Sequence, residues 1–476
     1  MTSPFGTSDF ERLAAAGIPE SEARRQLELL RHPPAPARLR RPATLGDGVL
    51  RLPDERLAEL EQRGRAARDA GRLAKFVPAS GAASRMFRAL AAVRARGLAA
   101  DPGRLAERVR AGDADAATAL EFARELPRMA LAASLAAELG VDPRELARRA
   151  LESPLEPILA ALLDPGRLGA MELPKALLGF HTDGDRIVTA FEEQLVEGVP
   201  YLADRNGVAR FHFTIPPGRD REFQRALDQA RMRIAADGVR LEVAFSVQSP
   251  ATDTLALDER ERPARGANGE LLLRPSGHGA LLGNLGATGG DLVVVKNIDN
   301  VLPRSRHAEI ARWQLILAGL AAETEERLEA PPSRPLRVCG VVPSAGEPGG
   351  GPFWTAGADG GESLQLVEFS QVDAGEPDQL AIWSASTHFN PVDLVVSLRD
   401  PQGRGWPLQA FVDPASAFVS RKSEGGRTLL VLERPGLWNG AMAGWRSLFV
   451  EVPGATFAPV KTVLDLARTA HATTPK

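Results

Sequence analysis

The chain has 476 residues, 44 % hydrophobic and 25 % charged, and its 58 basic and 61 acidic residues leave a net charge of −3. That length suits two or three domains of about 150 residues each, and the balanced charge gives no global attraction to nucleic acid or to an anionic membrane. The single cysteine, Cys339, excludes an internal disulfide framework and a cysteine-built zinc site. No apolar run reaches the roughly 18 residues of a membrane span, and residues 1–11 lack the basic-then-apolar order of a signal peptide. A cytoplasmic enzyme with no nucleic-acid or membrane partner is expected.

Residues 1–70 read as a helical extension. Apolar spacing predicts a helix over 20–30, a proline-rich break follows at 33–42, and the Ala-, Leu-, Glu- and Arg-rich stretch 54–72 predicts another helix. Lys75-Phe76-Val77-Pro78 reads as a short strand entering a loop, with a helix over 84–96. Residues 101–168 are almost all helix formers, broken near Gly112, at Gly140-Val141-Asp142-Pro143 and near Pro154, which predicts a peripheral all-helical insertion. From Leu173 the character changes. Strands over 208–215, 240–245 and 291–295 alternate with helices over 220–236 and 307–328, which argues for an α/β sheet with parallel members. A flexible loop is expected at 346–351, then strand-like pieces at 363–369, 393–398, 428–432 and 447–452.

Several segments offer chemistry. Residues 78–86, Pro-Ala-Ser-Gly-Ala-Ala-Ser-Arg-Met, lie between a predicted strand and a predicted helix. Small residues let backbone approach a ligand, a helix start presents free N–H groups, and Arg85 has the fork geometry for phosphate oxygens. A tight turn built on Gly81 explains the same residues equally well, and no Gly-Lys-Ser/Thr follows to make a P-loop kinase. Lys175 stands directly after Pro174, in an extended loop. Gln248 lies at the end of a strand, where open α/β sheets gather ligands. Gly277 and Gly279 bracket His278, which suits close backbone contact, and Asn297-Ile298-Asp299-Asn300 follows an apolar strand with Asp299 as a hard-cation ligand. Each has an ordinary reading too: His278 as a turn histidine, Asp299-Asn300 as a turn or helix cap.

Of the 58 basic residues only six are lysines, Lys75, Lys175, Lys296, Lys422, Lys461 and Lys476. A chain that covers its surface with arginine keeps lysine where a compact ammonium is wanted. Lys175, Lys296 and Lys461 all fall in the motif segments.

Taken in order, these segments resemble the UDP-sugar pyrophosphorylases, the eukaryotic-type UDP-glucose and UDP-N-acetylglucosamine uridylyltransferases. The loop 78–86 is similar to their glycine-rich loop, although Ser80 and Ala83 stand where that family prefers glycine. Pro174-Lys175 resembles Pro-Lys-Gly, with Ala176 in place of the glycine, and His212-Phe213-Thr214 resembles a strand ending in Met-Thr-Ser. Gln248 falls on a base-contacting glutamine. Pro275-Ser276-Gly277-His278-Gly279 resembles Pro-Pro-Gly-His-Gly, and residues 297–300 match Asn-Ile-Asp-Asn. Val367-Glu368-Phe369-Ser370-Gln371 resembles Val-Glu-Tyr-Ser-Glu, with Gln371 replacing a glutamate, and His388-Phe389-Asn390 resembles the Phe-Asn that follows. Pro459-Val460-Lys461-Thr462, fifteen residues before the last, resembles Pro-Val-Lys-Thr. The wording around Thr252-Asp253-Thr254 and residues 277–281 is also similar to a bacterial family known only as a domain of unknown function.

The resemblance implies a mixed, mostly parallel, Rossmann-like sheet of the nucleotide-diphospho-sugar transferase (GT-A) type. It implies a nucleotide-binding core over 71–330 carrying the insertion, and a sugar-binding part over 331–476 whose C-terminal segment returns to the core. The implied reaction joins a nucleoside triphosphate, UTP by resemblance, to a sugar 1-phosphate and releases pyrophosphate. By resemblance Gly81, Ser84 and Arg85 hold the triphosphate. Gln248, Gly277, His278 and Gly279 read the base and ribose, Glu368 and Asn390 face the sugar, and Asp299 binds Mg²⁺. Lys175 and Lys461 act with Arg85 on phosphate charge. A glycosyltransferase of the same fold and a non-catalytic nucleotide-sugar-binding protein are the alternatives.

Overall fold

The apolar run before Lys296 forms the fully buried strand Leu292–Lys296, the behaviour of β-branched residues with both faces covered. It runs parallel to Leu73–Pro78, with Leu292 opposite Leu73 and Val295 opposite Phe76. The structure is a computed structural model and describes residues 4–234, 238–327, 333–346, 349–357, 360–424 and 427–472. The chain divides into two compact units.

The first unit holds residues 1–76, 246–295 and 313–454. Its main sheet runs in the order Thr44–Leu45, Gly48–Leu50, Arg446–Glu451, Leu336–Pro343, His388–Ser397, Leu292–Lys296, Leu73–Pro78. Parallel neighbours predominate, and Leu336–Pro343 with His388–Ser397 is an antiparallel pair. Val293, Val295, Cys339, Val341, Leu394 and Phe449 line one core of this sheet. Against it, helix Asp54–Asp69 meets helix His307–Glu326 backbone to backbone. A Cβ on Gly64 would lie 1.9 Å from the Leu315 carbonyl oxygen, and one on Gly319 would lie 1.8 Å from that of Leu60. Only glycine fits at either position.

The first 70 residues are not purely helical. Helices form at Thr7–Ala16, Glu20–Arg31 and Asp54–Asp69. Between them Leu39–Pro42 pairs antiparallel with Gly350–Ala356, and Gly48–Leu50 pairs parallel with Arg446–Glu451. Pieces this short carry no alternation, and partners hundreds of residues away are invisible locally. Helices Thr7–Ala16 and Glu20–Arg31 bury Leu13, Leu27 and Leu30 against Leu255, Leu257 and Leu432 of a second, antiparallel sheet. The loop expected at 346–351 lies partly outside the described residues and otherwise starts the strand Gly350–Ala356.

The second unit holds residues 77–245, 296–312 and 455–476. Its insertion is all helical as expected: Pro102–Arg110, Ala114–Glu125, Leu131–Leu139, Pro143–Glu152 and Glu156–Leu163. The breaks follow from capping. Asp101, Asp113 and Asp142 accept backbone N–H groups at three helix starts, and Gly112 and Gly140 adopt positive φ at two ends. The insertion is not merely peripheral, because Ala114–Glu125 packs on the turn Val463–Ala467 that follows Lys461. Helix Ala190–Leu202 is buried, with Phe191 of that helix packed on Phe213 and Phe223 at 4.7 and 5.5 Å between ring centroids. Among the described residues no helix is long and apolar enough to cross a membrane.

Candidate functional site

The loop after Pro78 is shaped by backbone bonds. Ala79 N donates to Thr214 O at 2.9 Å, Ala83 N to Leu173 O at 3.1 Å, and Lys175 N to Gly81 O at 2.9 Å. These bonds lay the Pro174-Lys175 segment along the small-residue loop across more than ninety residues of chain. The expected helix start at Ser84 is instead a turn. The helix runs Arg88–Ala95, and the Met86 carbonyl accepts from Val463 N at 3.2 Å. Ser84 and Arg85 are exposed, and a Cβ on Gly81 would meet nothing within 4 Å. The protein's own packing therefore does not require glycine there.

Asp299 sits just beyond the strand Leu292–Lys296 and is 7 % exposed. Its Oδ2 accepts from Lys175 Nζ at 2.9 Å and from Lys461 Nζ at 2.9 Å, and its Oδ1 from Lys461 Nζ at 3.2 Å. Burial pushes the carboxyl up, but the two ammonium charges outweigh it and hold Asp299 below the ordinary carboxylate range. Lys175 goes the other way. Burial pulls its ammonium below the usual lysine value, Asp299 opposes this, and Lys461 and Arg85 add repulsion. Arg85 thus acts on Lys175 through space. Two ammonium groups meet on one carboxylate, with Arg85 near enough to repel Lys175, a surplus of positive charge suited to an incoming polyanion.

The C-terminal segment delivers Lys461. Val460 N donates to Asp299 O at 3.0 Å, and Ala458 N to Asn300 Oδ1 at 3.2 Å. Buried Asp465 turns the chain back, its Oδ2 accepting from Lys461 N at 2.8 Å and Thr462 N at 2.6 Å.

The remaining expected site residues lie in the first unit. Gln248 Nε2 donates to Asp253 Oδ1 at 3.2 Å. Gly277 has φ +83°, and a Cβ on Gly279 would lie 1.7 Å from Pro435 O. The local fold by itself demands both glycines. His278 accepts from Leu437 N at Nδ1, 2.8 Å, and stacks on Trp438 with ring centroids 4.3 Å apart. Burial raises the Glu368 carboxyl, Asn439 opposes this with a hydrogen bond, and Glu433 adds to the rise. Ser370 and Gln371, next in sequence to Phe369, line a cleft of about 710 Å³ within this unit. Asn390 falls on the strand His388–Ser397, and its side chain lies outside the described residues.

Sequence reasoning singled out Lys296 but missed Gln194 and Glu197, the helix groups that pair with the segment before Asp299. Gln194 Nε2 donates to Asn297 O at 2.8 Å. Lys296 Nζ lies 2.7 and 2.8 Å from the two oxygens of Glu197, and both side chains are fully buried. The missed signal was Glu192, Glu193, Gln194 and Glu197 within a helix otherwise rich in apolar residues. Polar groups so placed are kept only if paired.

Among solved structures the chain is similar to UDP-N-acetylglucosamine pyrophosphorylase from Trypanosoma brucei in complex with an inhibitor. That match has 14 % identity over 98 % of this chain and 85 % of that one, with a TM-score of 0.50. It is also similar to a mutant UDP-glucose pyrophosphorylase from Leishmania major in complex with UDP-glucose, at 14 % identity over 98 % of this chain and 78 % of that one, TM-score 0.47. The first likeness shows a pyrophosphorylase fold around the mixed, mostly parallel sheet. A comparison with curated proteins gave no match. The family model described as a domain of unknown function (DUF4301) matches residues 6–331 and 320–472, and the chain belongs to that family.

Proposed function

We propose that the protein is a sugar-1-phosphate nucleotidyltransferase, with a sheet of the GT-A type, that makes a nucleotide sugar from a nucleoside triphosphate, UTP by resemblance, and releases pyrophosphate. The observation that carries this reading is the convergence of Lys175 and Lys461 on Asp299 beside the Gly81 loop. The fold shared with a UDP-N-acetylglucosamine pyrophosphorylase supports it. A phosphate oxygen of the sugar 1-phosphate attacks the α-phosphorus, the bond from that phosphorus to the bridging oxygen breaks, and pyrophosphate leaves. The nucleophile is already ionised at neutral pH, so positioning and charge stabilisation suffice.

Gly81, Ser84 and Arg85 cradle the triphosphate in this reading. Lys175 and Lys461 leave Asp299 for the phosphates and neutralise charge as it develops. Gln248, Gly277, His278 and Gly279 read base and ribose, and Glu368 with Asn390 takes the sugar hydroxyls. Among the described residues no group of three or more His, Cys, Asp or Glu side chains is arranged to hold a metal by itself. One ionised, buried carboxylate does fit Mg²⁺ arriving on a triphosphate, since that ion keeps waters and phosphate oxygens and needs few carboxylates. Asp299 would hold it, and when bound it would spread the phosphate charge. The reading places the enzyme with its charged substrates in the cytoplasm.

The test is a matrix of nucleoside triphosphates against sugar 1-phosphates with Mg²⁺, read as pyrophosphate release. One pair should stand far above the rest. Sugar transfer without pyrophosphate exchange would mark a glycosyltransferase, and a ligand-raised melting temperature without turnover would mark a binding protein.

A further inference from the structure

Three of the seven histidines form one buried chain in the second unit. His181 Nδ1 lies 2.7 Å from Glu193 Oε1, and His181 Nε2 lies 2.8 Å from His471 Nδ1, the two rings stacked 5.1 Å apart. The other oxygen of Glu193 lies 3.2 Å from His307 Nε2. Both ends finish on backbone: His471 Nε2 is 2.8 Å from Ala458 O, and His307 Nε2 is 2.9 Å from Leu302 O. None of the four side chains belongs to a residue more than 5 % exposed.

The acceptors at the ends settle the protons. A carbonyl only accepts, so His471 Nε2 and His307 Nε2 both carry hydrogen. His471 Nδ1 is then bare and accepts from His181 Nε2–H. Burial pushes the Glu193 carboxyl up, and its bonds to His181 and His307 more than offset this and keep it ionised. His181 thus lies between the Glu193 carboxylate at Nδ1 and the His471 ring at Nε2. A metal site is ruled out as the reason for the cluster, because His181 spends its two nitrogens on opposite neighbours and the donors do not converge.

The chain touches the segments that carry Lys175, Asp299 and Lys461. His181 follows Lys175 by six residues, Leu302 follows Asp299 by three, and Ala458 and His471 bracket Lys461. We infer that His471, His181, Glu193 and His307 are positioning residues that hold Lys461 and Lys175 in register on Asp299. The inference deepens the functional reading above and rests on it for the role of the lysines. The link that matters is the acceptor His471 Nδ1 offers to His181, since it alone joins the C-terminal segment to the Lys175 segment within this chain of bonds.

The test exploits side-chain isosteres. The Oδ1 of asparagine stands where Nδ1 stands in histidine, so H471N keeps the acceptor; glutamine stands in for Nε2, so H471Q keeps only the donor to Ala458. Lys461 is labelled with an amine-reactive ester in the substrate-free protein and read by mass spectrometry, with Lys422 as internal reference. Labelling should rise about 3–5-fold in H471A and H471Q as the already exposed Lys461 is freed from Asp299, and stay near wild type in H471N, with Lys422 unchanged throughout. A packing role predicts the opposite order, with the bulkier glutamine rescuing better. In turnover, kcat should fall roughly 10–100-fold in H471A and H471Q, the scale of a misplaced group, with KM little changed and most of kcat recovered in H471N. Unchanged Lys461 labelling in H471Q, or better rescue by glutamine than by asparagine, overturns the inference; H471Q decides if H471A fails to fold. Wild-type protein without pyrophosphate release overturns the functional reading alone, because labelling still decides the positioning.

Discussion

Lys461 Nζ lies 2.9 Å from Asp299 Oδ2 across 162 residues of chain. The lysine side chain is 59 % exposed while the carboxylate is buried, so the pair is screened on one side and adds little stability. Lys461→Ala should therefore leave the melting temperature nearly unchanged. The single-turnover rate should fall roughly 10²–10³-fold, the scale for losing one transition-state contact, with nucleotide affinity reduced less. Stopped-flow turnover beside thermal melting checks this, and a variant that turns over like wild type removes Lys461 from the chemistry.

Asp299→Asn keeps shape and removes the charge both ammonium groups face. Turnover should be abolished while the circular dichroism spectrum is retained. Stability should drop by about 1–3 kcal/mol, the cost of buried polar groups left without partners. Full activity, or activity independent of Mg²⁺, would sink the role given to Asp299.

Burial, with repulsion from His181, lowers His471 from 6.5 to about 4, while Ala458 O and the Asp465 carboxylate oppose the shift and Arg468 adds to it. The unfolded chain then takes up a proton near pH 6.5 that the folded chain refuses until about pH 4. The stabilisation is whole above pH 6.5 and drains away as pH falls toward 4, by something of order 1–3 kcal/mol. Urea melts at pH 7.5, 6 and 5 should show the decline in wild type and a flatter profile in H471N.

Gly319→Ala inserts a methyl group where 1.8 Å separates its position from the Leu60 carbonyl. Alanine gains about 1 kcal/mol of helix propensity, but the helices must part. We expect a net loss of about 1–3 kcal/mol by overpacking, measured by urea unfolding. A stabilised variant would mean that the two helices do not touch as described.

Much of this was legible in the residues. The run Leu-Val-Val-Val announced its buried strand, and Gly112 and Gly140 with their neighbouring aspartates marked where insertion helices stop and start. The scarcity of lysine pointed to Lys175 and Lys461, which the structure brings to one carboxylate. Leu39–Pro42 and Gly48–Leu50 escaped because their strand character comes wholly from distant partners. Gly277 and Gly279 suggested ligand contact, yet a positive φ and the Pro435 carbonyl already account for both. The histidine chain escaped because its members, at 181, 307 and 471, share no spacing that a sequence can display.

The second unit is assembled from residues 77–245, 296–312 and 455–476. During synthesis residues 77–245 leave the ribosome about 210 residues before the segment bearing Lys461 and His471, a lag of roughly 10–40 s at ordinary elongation rates. Over that interval His181 has no His471 ring beside it, and Asp299, once made, has only one of its lysines. Until that segment emerges, Asp299 and His181 stay without their last partners, open to every chaperone and protease the nascent chain meets.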